Sequence, residues 1–316
     1  MIILNKIDIK NEHTIYMIIF SILVVLIIHI PEIYNPIQFY DDKHTIQPFI
    51  QDCSVKQIPT IRDPLRYYEL CVSRYELGNI EILPVVSIFS LSVFVFILTK
   101  QFVNSNLLGL LGMILLLLTN SFSFYGFSAT YAQTWVALMF CSLILIRTRF
   151  YYLSVIPFLI SLFFRGLPLL DIPIFFGMIY ISNIKRKRMI YTLFLIVGLL
   201  SSLYAILGNE YIEQNGVITN NIKFDTVSYF FSTFRYEIIL SFCIPFIGLF
   251  LYKLKNKNSQ FIFFSMTYLI TQIWFLGAFT NLSQEPYRMF PLYIFAIIGI
   301  TLIIKNYIIE KKALYF

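Results

Sequence analysis

Long apolar segments alternate with short polar ones along the whole chain, and this alternation predicts a bundle of membrane-spanning helices. A helix needs about 20 mostly apolar residues to cross the roughly 30 Å of hydrocarbon in a bilayer. We predict ten crossings, at 14–31, 82–99, 106–122, 133–147, 150–164, 166–182, 189–207, 236–252, 259–280 and 289–304. The predicted fold is therefore all-α, a polytopic transmembrane helix bundle forming one integral membrane domain over 1–316.

One stretch of this bundle, 150–182, admits two interpretations. The apolar runs on either side of Arg165 and Gly166 are short for full crossings. They form either two short spans or a re-entrant hairpin. Both flanks are basic, so the topology of the rest of the bundle is the same in either case.

Charge orients the predicted bundle. In this arrangement the inner side holds 15 of the 24 Lys and Arg residues but only 3 of the 17 acids, and it includes the basic run 185–188. Cytoplasmic loops retain Lys and Arg, so we predict a multi-pass protein of the cell membrane with both termini in the cytoplasm. The segments 32–83 and 208–235 then form extracytoplasmic loops.

Composition supports a membrane protein and argues against a water-soluble one. Only 13% of the residues are charged, whereas a soluble domain has about a quarter. The net charge of +7 comes from bases that flank apolar runs, and orientation signals explain it. We therefore expect membrane lipids as partners and no nucleic acid.

The first extracytoplasmic loop is predicted to contain helices that lie on the membrane surface. Asp63 and Pro64 form a typical helix start, an N-cap followed by proline at the first helical position. Gly78 can close the helix before the second span. Helical spacing gives this helix an apolar row of Leu65, Tyr68, Cys71, Val72 and Tyr75. Its other faces take Arg62, Arg66, Glu69 and Glu76. A second short helix is predicted at about 45–56.

Two cysteines share this loop. An oxidising exterior would permit a disulfide between Cys53 and Cys71, although two thiols in one loop can also stay apart. Cys141 and Cys243 fall inside apolar runs and are predicted to be packing residues.

Adjacent carboxylates in the same loop are candidates for chemistry. Asp41 and Asp42 follow the first span closely, and a carboxylate there can act as a general base on a hydroxyl or hold a divalent cation. Like charges side by side raise each other's pKa, which suits a base. A solvated acidic loop is the alternative. His44 is either a metal ligand or proton carrier, or a loop histidine without such a role.

Three arginines lie at the predicted outer ends of hydrophobic runs: Arg165, Arg235 and Arg288. The planar guanidinium matches phosphate oxygens, so the three can clamp a lipid-linked phosphate. The alternative is that each side chain extends to the interface for solvation.

Aromatic residues surround the predicted outer entry to the fourth span. Tyr125 and Tyr131, with Gln133 and Trp135, fit either the aromatic belt of a membrane protein or a surface on which a sugar stacks. The chain has no P-loop and no dinucleotide-binding glycine motif. The energy for any reaction would therefore come from an activated substrate outside the cytoplasm.

This layout resembles the polytopic glycosyltransferases of the GT-C superfamily, which use sugars carried on polyprenyl phosphates. The similarity covers mainly 14–182: a first span, a long outer loop with the pair Asp41-Asp42, surface helices and a second span. The stretch LLGMILLLLTNSFSFYGFSATYAQTWVALMFCSLILI is similar to the third and fourth spans of the dolichyl-phosphate-mannose type. The chain departs from the family in lacking the usual large extracytoplasmic C-terminal domain.

The resemblance implies a lipid-linked sugar donor and an acceptor hydroxyl on a glycan, protein or lipid. Asp41 or Asp42 would take the proton of that hydroxyl. Arg288, with Arg235 or Arg165, would stabilise the charge on the departing phosphate. No cofactor is required, although some members of the superfamily use a divalent metal.

Two alternatives stay open. A polymerase of the O-antigen or exopolysaccharide kind would share the outer arginines but depend less on Asp41 and Asp42. A membrane transporter or scaffold without chemistry would need polar residues at mid-membrane. The sequence has few of these: Thr119, Asn120, Asp171 and Gln272 lie near span ends or stand alone.

Overall fold

The structure is a computed structural model that describes residues 10–34, 53, 64–119, 122, 133–164, 167–207, 256–279 and 290–309. Every regular element in these ranges is helical, which confirms the all-α prediction. The helices are α1 (Asn11–Ile28), α2 (Ile30–Tyr34), α3 (Pro64–Tyr75), α4 (Ile82–Val103), α5 (Asn106–Leu117), α6 (Thr134–Ile146), α7 (Val155–Phe164), α8 (Ile172–Ile181), α9 (Lys187–Leu207), α10 (Lys257–Phe279) and α11 (Phe290–Ile303). Short 3₁₀ turns lie at Tyr151–Ser154 and Leu167–Leu169, and a π-helical segment at Ile304–Ile309.

Proline marks the start of several helices. Pro64 is the first residue of α3, and Pro84, Pro173 and Pro291 lie within the first three residues of α4, α8 and α11. The first turn of a helix has N–H groups without intrahelical acceptors, so a residue lacking N–H is tolerated there. These prolines therefore mark the N-terminal ends of the four helices.

Two helices within the described ranges, α1 and α4, are long and apolar enough to cross a membrane. The apolar window of α1 is 6% buried within the protein and that of α4 is 56% buried. Helices α9 and α10 have 21 and 23 residues. Five other apolar segments in those ranges are shorter, with 10–17 residues, and α7 and α8 have 10 residues each. A helix of that length spans about 15 Å, roughly half of the hydrocarbon. The bundle of ten crossings stays a prediction.

The chain forms two compact units. The first contains Met1–Met17, Val95–Leu116 and Ile212–Phe316, and the second contains Ile18–Phe94 and Leu117–Tyr211.

Aromatic packing forms the core of the second unit. Phe158 on α7, Phe175 on α8 and Phe194 on α9 are fully buried, with ring centroids 4.7–5.0 Å apart. Rings at this spacing add about 0.5–1.5 kcal/mol per pair beyond the burial of their area. One polar group crosses the apolar contact between α6 and the following turn, where the Ser142 hydroxyl donates to the Ser154 carbonyl over 2.7 Å.

The first unit pairs α10 with α11. Helix α11 has buried residues on all sides, which is typical of a core helix. Phe261 stacks on Phe102 with centroids 5.8 Å apart and meets Phe295 edge-on. Near these rings the amide of Asn258 donates to the Phe102 carbonyl over 3.3 Å.

Glycine allows α4 and α5 to approach closely within this unit. A Cβ atom at Gly109 would lie 2.9 Å from the Phe96 ring and 3.1 Å from the Phe96 carbonyl oxygen. A Cβ at Gly112 would lie 2.8 Å from the Thr99 hydroxyl. The 2.9 Å and 2.8 Å distances are shorter than side chains tolerate, so the two helices can pack this tightly only where α5 has no side chain.

We expect Gly109→Val to lower the unfolding temperature of the protein in detergent. The added methyl groups meet the Phe96 backbone, which cannot rotate away, and overpacking of this kind costs about 1–3 kcal/mol. The matched control is Leu107→Val, which introduces the same residue into the same helix at a side chain that is 37% exposed. Equal unfolding temperatures for the two variants would contradict this account of the α4–α5 contact.

Candidate functional site

A carboxylate and two hydroxyls from three helices meet in the second unit. Glu69 comes from the middle of α3, Ser87 from the first turns of α4, and Thr134 is the first residue of α6. Thr134 donates a hydrogen bond to Glu69 Oε1 over 2.6 Å. The Ser87 hydroxyl lies 3.3 Å from the same oxygen and 2.9 Å from the Thr134 hydroxyl. We call these three residues the Glu69 cluster.

The Glu69 carboxyl is buried, with 7% of the residue exposed. Its second oxygen, Oε2, is also buried and accepts no hydrogen bond from the part of the chain that the structure describes. A buried carboxylate with one satisfied oxygen loses more solvation than its partners replace. The charged form of Glu69 is therefore disfavoured.

Burial raises the pKa of the Glu69 carboxyl from its ordinary 4.5 to about 7. The hydrogen bonds from Thr134 and Ser87 and the charge of Arg66 act in the opposite direction, but they are weaker than the desolvation. Glu69 is consequently a group that gains and loses a proton near neutral pH.

The turn that joins α3 to α4 fixes the position of this helix. The Ser73 hydroxyl donates to the Asn79 carbonyl over 2.7 Å and accepts from the Leu83 N–H over 3.1 Å. The Asn79 amide reaches back to the Ile33 carbonyl over 3.2 Å. Gly78 takes the left-handed conformation (φ +79°) in the turn, where a side chain would be strained.

A disulfide joins Cys53 and Cys71, with an S–S distance of 2.09 Å. The structure thus contains the cross-link that the sequence permitted. Because Cys71 lies on α3, the cross-link ties this helix to the segment that precedes it. Cys141 has a free thiol.

The predicted start of α3 at Pro64 is confirmed, and the helix ends at Tyr75, before Gly78. Its buried face differs from the predicted apolar row. The buried residues are Tyr67, Glu69, Leu70 and Ser73, and Tyr68 and Tyr75 from the predicted row are exposed. Polar residues take buried positions because Ser87, Thr134 and the turn supply partners for them.

Gln133 and Trp135 flank Thr134 at the start of α6, and both carry polar groups. Gln133 and Trp135 are 1% and 2% exposed. The indole N–H of Trp135 finds no acceptor among the described residues. Their burial between helices differs from the interfacial aromatic belt that is one alternative for this region.

Most of the predicted site residues lie outside the described ranges. These are Asp41, Asp42, His44, Tyr125, Tyr131, Arg165, Arg235 and Arg288. Within those ranges no three His, Cys, Asp or Glu side chains are grouped so as to hold a metal ion. The predictions for these residues stay predictions.

Sequence reasoning missed the Glu69 cluster. The signal that was available is an acid inside a short helix between two apolar runs, with a hydroxyl residue near the start of each of two predicted spans. Hydroxyl residues near span ends are common, so only the structure shows that these particular three meet. Comparisons with protein-family models, with curated proteins and with solved structures found no match to this chain.

Loss of the disulfide should destabilise the protein. We expect Cys71→Ser to cost about 2–4 kcal/mol, because the cross-link restricts the unfolded chain. The measurement is thermal unfolding in detergent without reductant, and Cys141→Ser, which removes a free thiol, is the control. Reductant should lower the unfolding temperature of the unaltered protein towards that of Cys71→Ser. The prediction would be contradicted if reductant left the unfolding temperature of the unaltered protein unchanged.

We also expect the two hydroxyls of the Glu69 cluster to contribute unequally. Thr134→Val removes the 2.6 Å bond to the carboxyl and should cost about 1–3 kcal/mol. Ser87→Ala removes a 3.3 Å contact to the carboxyl and a 2.9 Å contact to the Thr134 hydroxyl, and it should cost less because Thr134 still donates to the carboxyl. Thr192→Val is the control, since that exposed hydroxyl bonds only within its own helix, to the Arg188 carbonyl. A larger loss of stability from Ser87→Ala than from Thr134→Val, measured by thermal unfolding, would reverse the assignment.

Proposed function

We propose that this protein is a membrane glycosyltransferase that moves a sugar from a polyprenyl-phosphate carrier to an acceptor hydroxyl on the extracytoplasmic face. The observation that carries the proposal is the Cys53–Cys71 disulfide. Disulfides persist in oxidising compartments, and this one lies in the predicted loop 32–83. It supports the extracytoplasmic location that the charge pattern predicts for the loop.

The proposed topology has about ten crossings with both termini in the cytoplasm. Helices α1 and α4, the two described helices that have the length and apolarity of membrane spans, flank the loop in sequence. Helix α3, between them, has two exposed tyrosines, Tyr68 and Tyr75. Tyrosine favours the boundary between lipid and water, which suits a helix lying on the membrane surface.

The reaction needs a base and a site for the phosphate. In the proposed mechanism Asp41 or Asp42 accepts the proton of the acceptor hydroxyl, and the oxygen attacks the anomeric carbon of the donor sugar. The new glycosidic C–O bond forms as the bond from that carbon to the phosphate oxygen breaks, and the electron pair leaves with the phosphate. Arg288, with Arg235 or Arg165, stabilises the negative charge that develops there.

The remaining predicted residues contact the sugar. Tyr125 and Tyr131 supply ring faces, and His44 supplies a hydrogen bond. The mechanism requires no cofactor. If a divalent metal takes part, Asp41 and Asp42 provide the oxygen ligands that such ions prefer.

We expect Asp41→Asn or Asp42→Asn to lower transfer by about 100-fold or more, because general-base catalysis contributes roughly 10²–10⁴-fold. The assay follows a radiolabelled sugar from polyprenyl-phosphate donors into glycan, lipid and protein fractions of membranes that contain the protein. Asp52→Asn, in the same loop but outside the acidic pair, is the control. Full transfer by the double variant Asp41→Asn with Asp42→Asn would remove the proposed mechanism.

A further inference from the structure

Glu69 is a buried titratable group for which the proposed transfer reaction has no use. Its carboxyl contacts residues from two other helices, and it lies on the helix that carries the disulfide. A buried acid in this position lowers the stability of the folded protein when it is charged. A neutral residue would therefore be expected here unless the carboxyl has a role. The contacts of α3 indicate what that role is.

The two hydroxyls of the Glu69 cluster both contact the same carboxyl oxygen, Glu69 Oε1. Each hydroxyl has one proton to donate. Thr134 uses its proton on Glu69 Oε1, and Ser87 can donate to Thr134 or to the same Oε1. Oε1 accepts in this way whether or not a proton sits on Oε2. Protonation of Glu69 therefore preserves the bonds that join α3 to α4 and α6, and it removes the cost of a buried charge.

Few charged groups offset that cost. Helix α7, which packs against α3, has no titratable side chain. The helices that carry the two hydroxyls contribute Lys100 and Cys141, about 20 Å and about 10 Å further along their axes. Glu81 precedes α4 and has the same sign of charge as Glu69. The other titratable side chains of α3 are Arg66, Tyr67, Tyr68, Arg74 and Tyr75.

Among the described residues, Arg66 is thus the cation that acts on Glu69, and it lies one turn before Glu69 on the same helix. Its charge favours the ionised carboxylate, but burial outweighs it. Moreover, Arg66 belongs to α3, so its attraction to Glu69 does not join α3 to any other helix. The bonds from Ser87 and Thr134 do join the helices.

We propose that Glu69 is a proton-dependent positioning residue. Its uncharged carboxyl holds α3 against the starts of α4 and α6, and loss of the proton weakens that contact. Through the Cys53–Cys71 disulfide, the packing of α3 also positions Cys53. The step is a simple proton exchange with water at the carboxyl. If the proposed transfer reaction is correct, Glu69 also influences transfer through Cys53, which lies in the same predicted loop as Asp41 and Asp42, without contacting the substrate.

The direction of the pH effect follows from linkage. The pKa of Glu69 is higher in the folded protein than its ordinary 4.5. The state in which α3 packs against α4 and α6 therefore binds the proton more tightly than the state in which α3 is released from them. The stabilisation is complete below about pH 4.5 and is lost as the pH rises through about 7. Release of α3 should therefore increase between pH 5 and pH 8, by about 10- to 100-fold in the opening equilibrium.

Hydrogen exchange of the intact protein in lipid nanodiscs tests the proposal. We expect amide protection in α3, corrected for intrinsic exchange rates, to fall by about 10-fold or more from pH 5 to pH 8. The peptide covering α5, which has no titratable side chain, is the internal control and should not change. In Glu69→Gln, an uncharged isostere that still accepts from Thr134, protection of α3 should be high and independent of pH.

Two results would overturn the proposal. One is unchanged protection of α3 across this pH range in the unaltered protein, a measurement that needs no variant. The other is a pH dependence of Glu69→Gln equal to that of the unaltered protein. Sugar transfer supplies a separate readout: Glu69→Gln should flatten the alkaline side of the pH profile. Transfer unaffected by Asp41→Asn and Asp42→Asn would refute the proposed reaction and leave the exchange result standing.

Discussion

Polar atoms buried between apolar helices must find partners inside the protein, and this constraint governs the described structure. A buried polar group without a hydrogen bond costs about 1–3 kcal/mol, and neither hydrocarbon nor a packed core supplies water. Several buried polar groups meet the constraint through single hydrogen bonds. Ser142 reaches the Ser154 carbonyl, and Asn106 reaches the Asn11 side chain over 3.0 Å.

Glu69 meets the same constraint only in part, and its charge sets it apart from a neutral group such as the Ser142 hydroxyl. A hydroxyl or amide is neutral, so one or two bonds satisfy it. A carboxylate needs about four, and Ser87 and Thr134 together serve one of its two oxygens. Binding a proton is the remaining way to lower the cost. Incomplete pairing thus makes the stability of this contact depend on pH, whereas the contacts of the neutral groups do not.

The sequence could predict helices better than it could predict their contacts. Hydropathy located most of the described helices, because an apolar run can be recognised from consecutive residues alone. Asp63 and Pro64 likewise mark the start of α3. The buried face of α3 was not predictable from periodicity, since Glu69 and Ser73 are buried by partners distant in sequence. Ser87 and Thr134 lie 18 and 65 residues from Glu69, and no single-sequence pattern relates them. The same holds for Cys53 and Cys71, whose spacing permitted a bond that only the geometry could decide.

The geometry of α3 joins these observations. Successive residues of a helix are about 100° apart, so Glu69 and Ser73 lie on nearly the same face while Cys71 lies roughly opposite. One face is held by hydrogen bonds to Ser87, Thr134 and the turn at Asn79, and the other by a covalent bond to Cys53. The covalent bond does not respond to pH, but the hydrogen-bonded face includes a titratable group. A change at Glu69 can therefore move the helix only as a rotation or displacement that takes Cys53 with it. On the proposal for Glu69, Cys53 is in this way mechanically coupled to one buried proton.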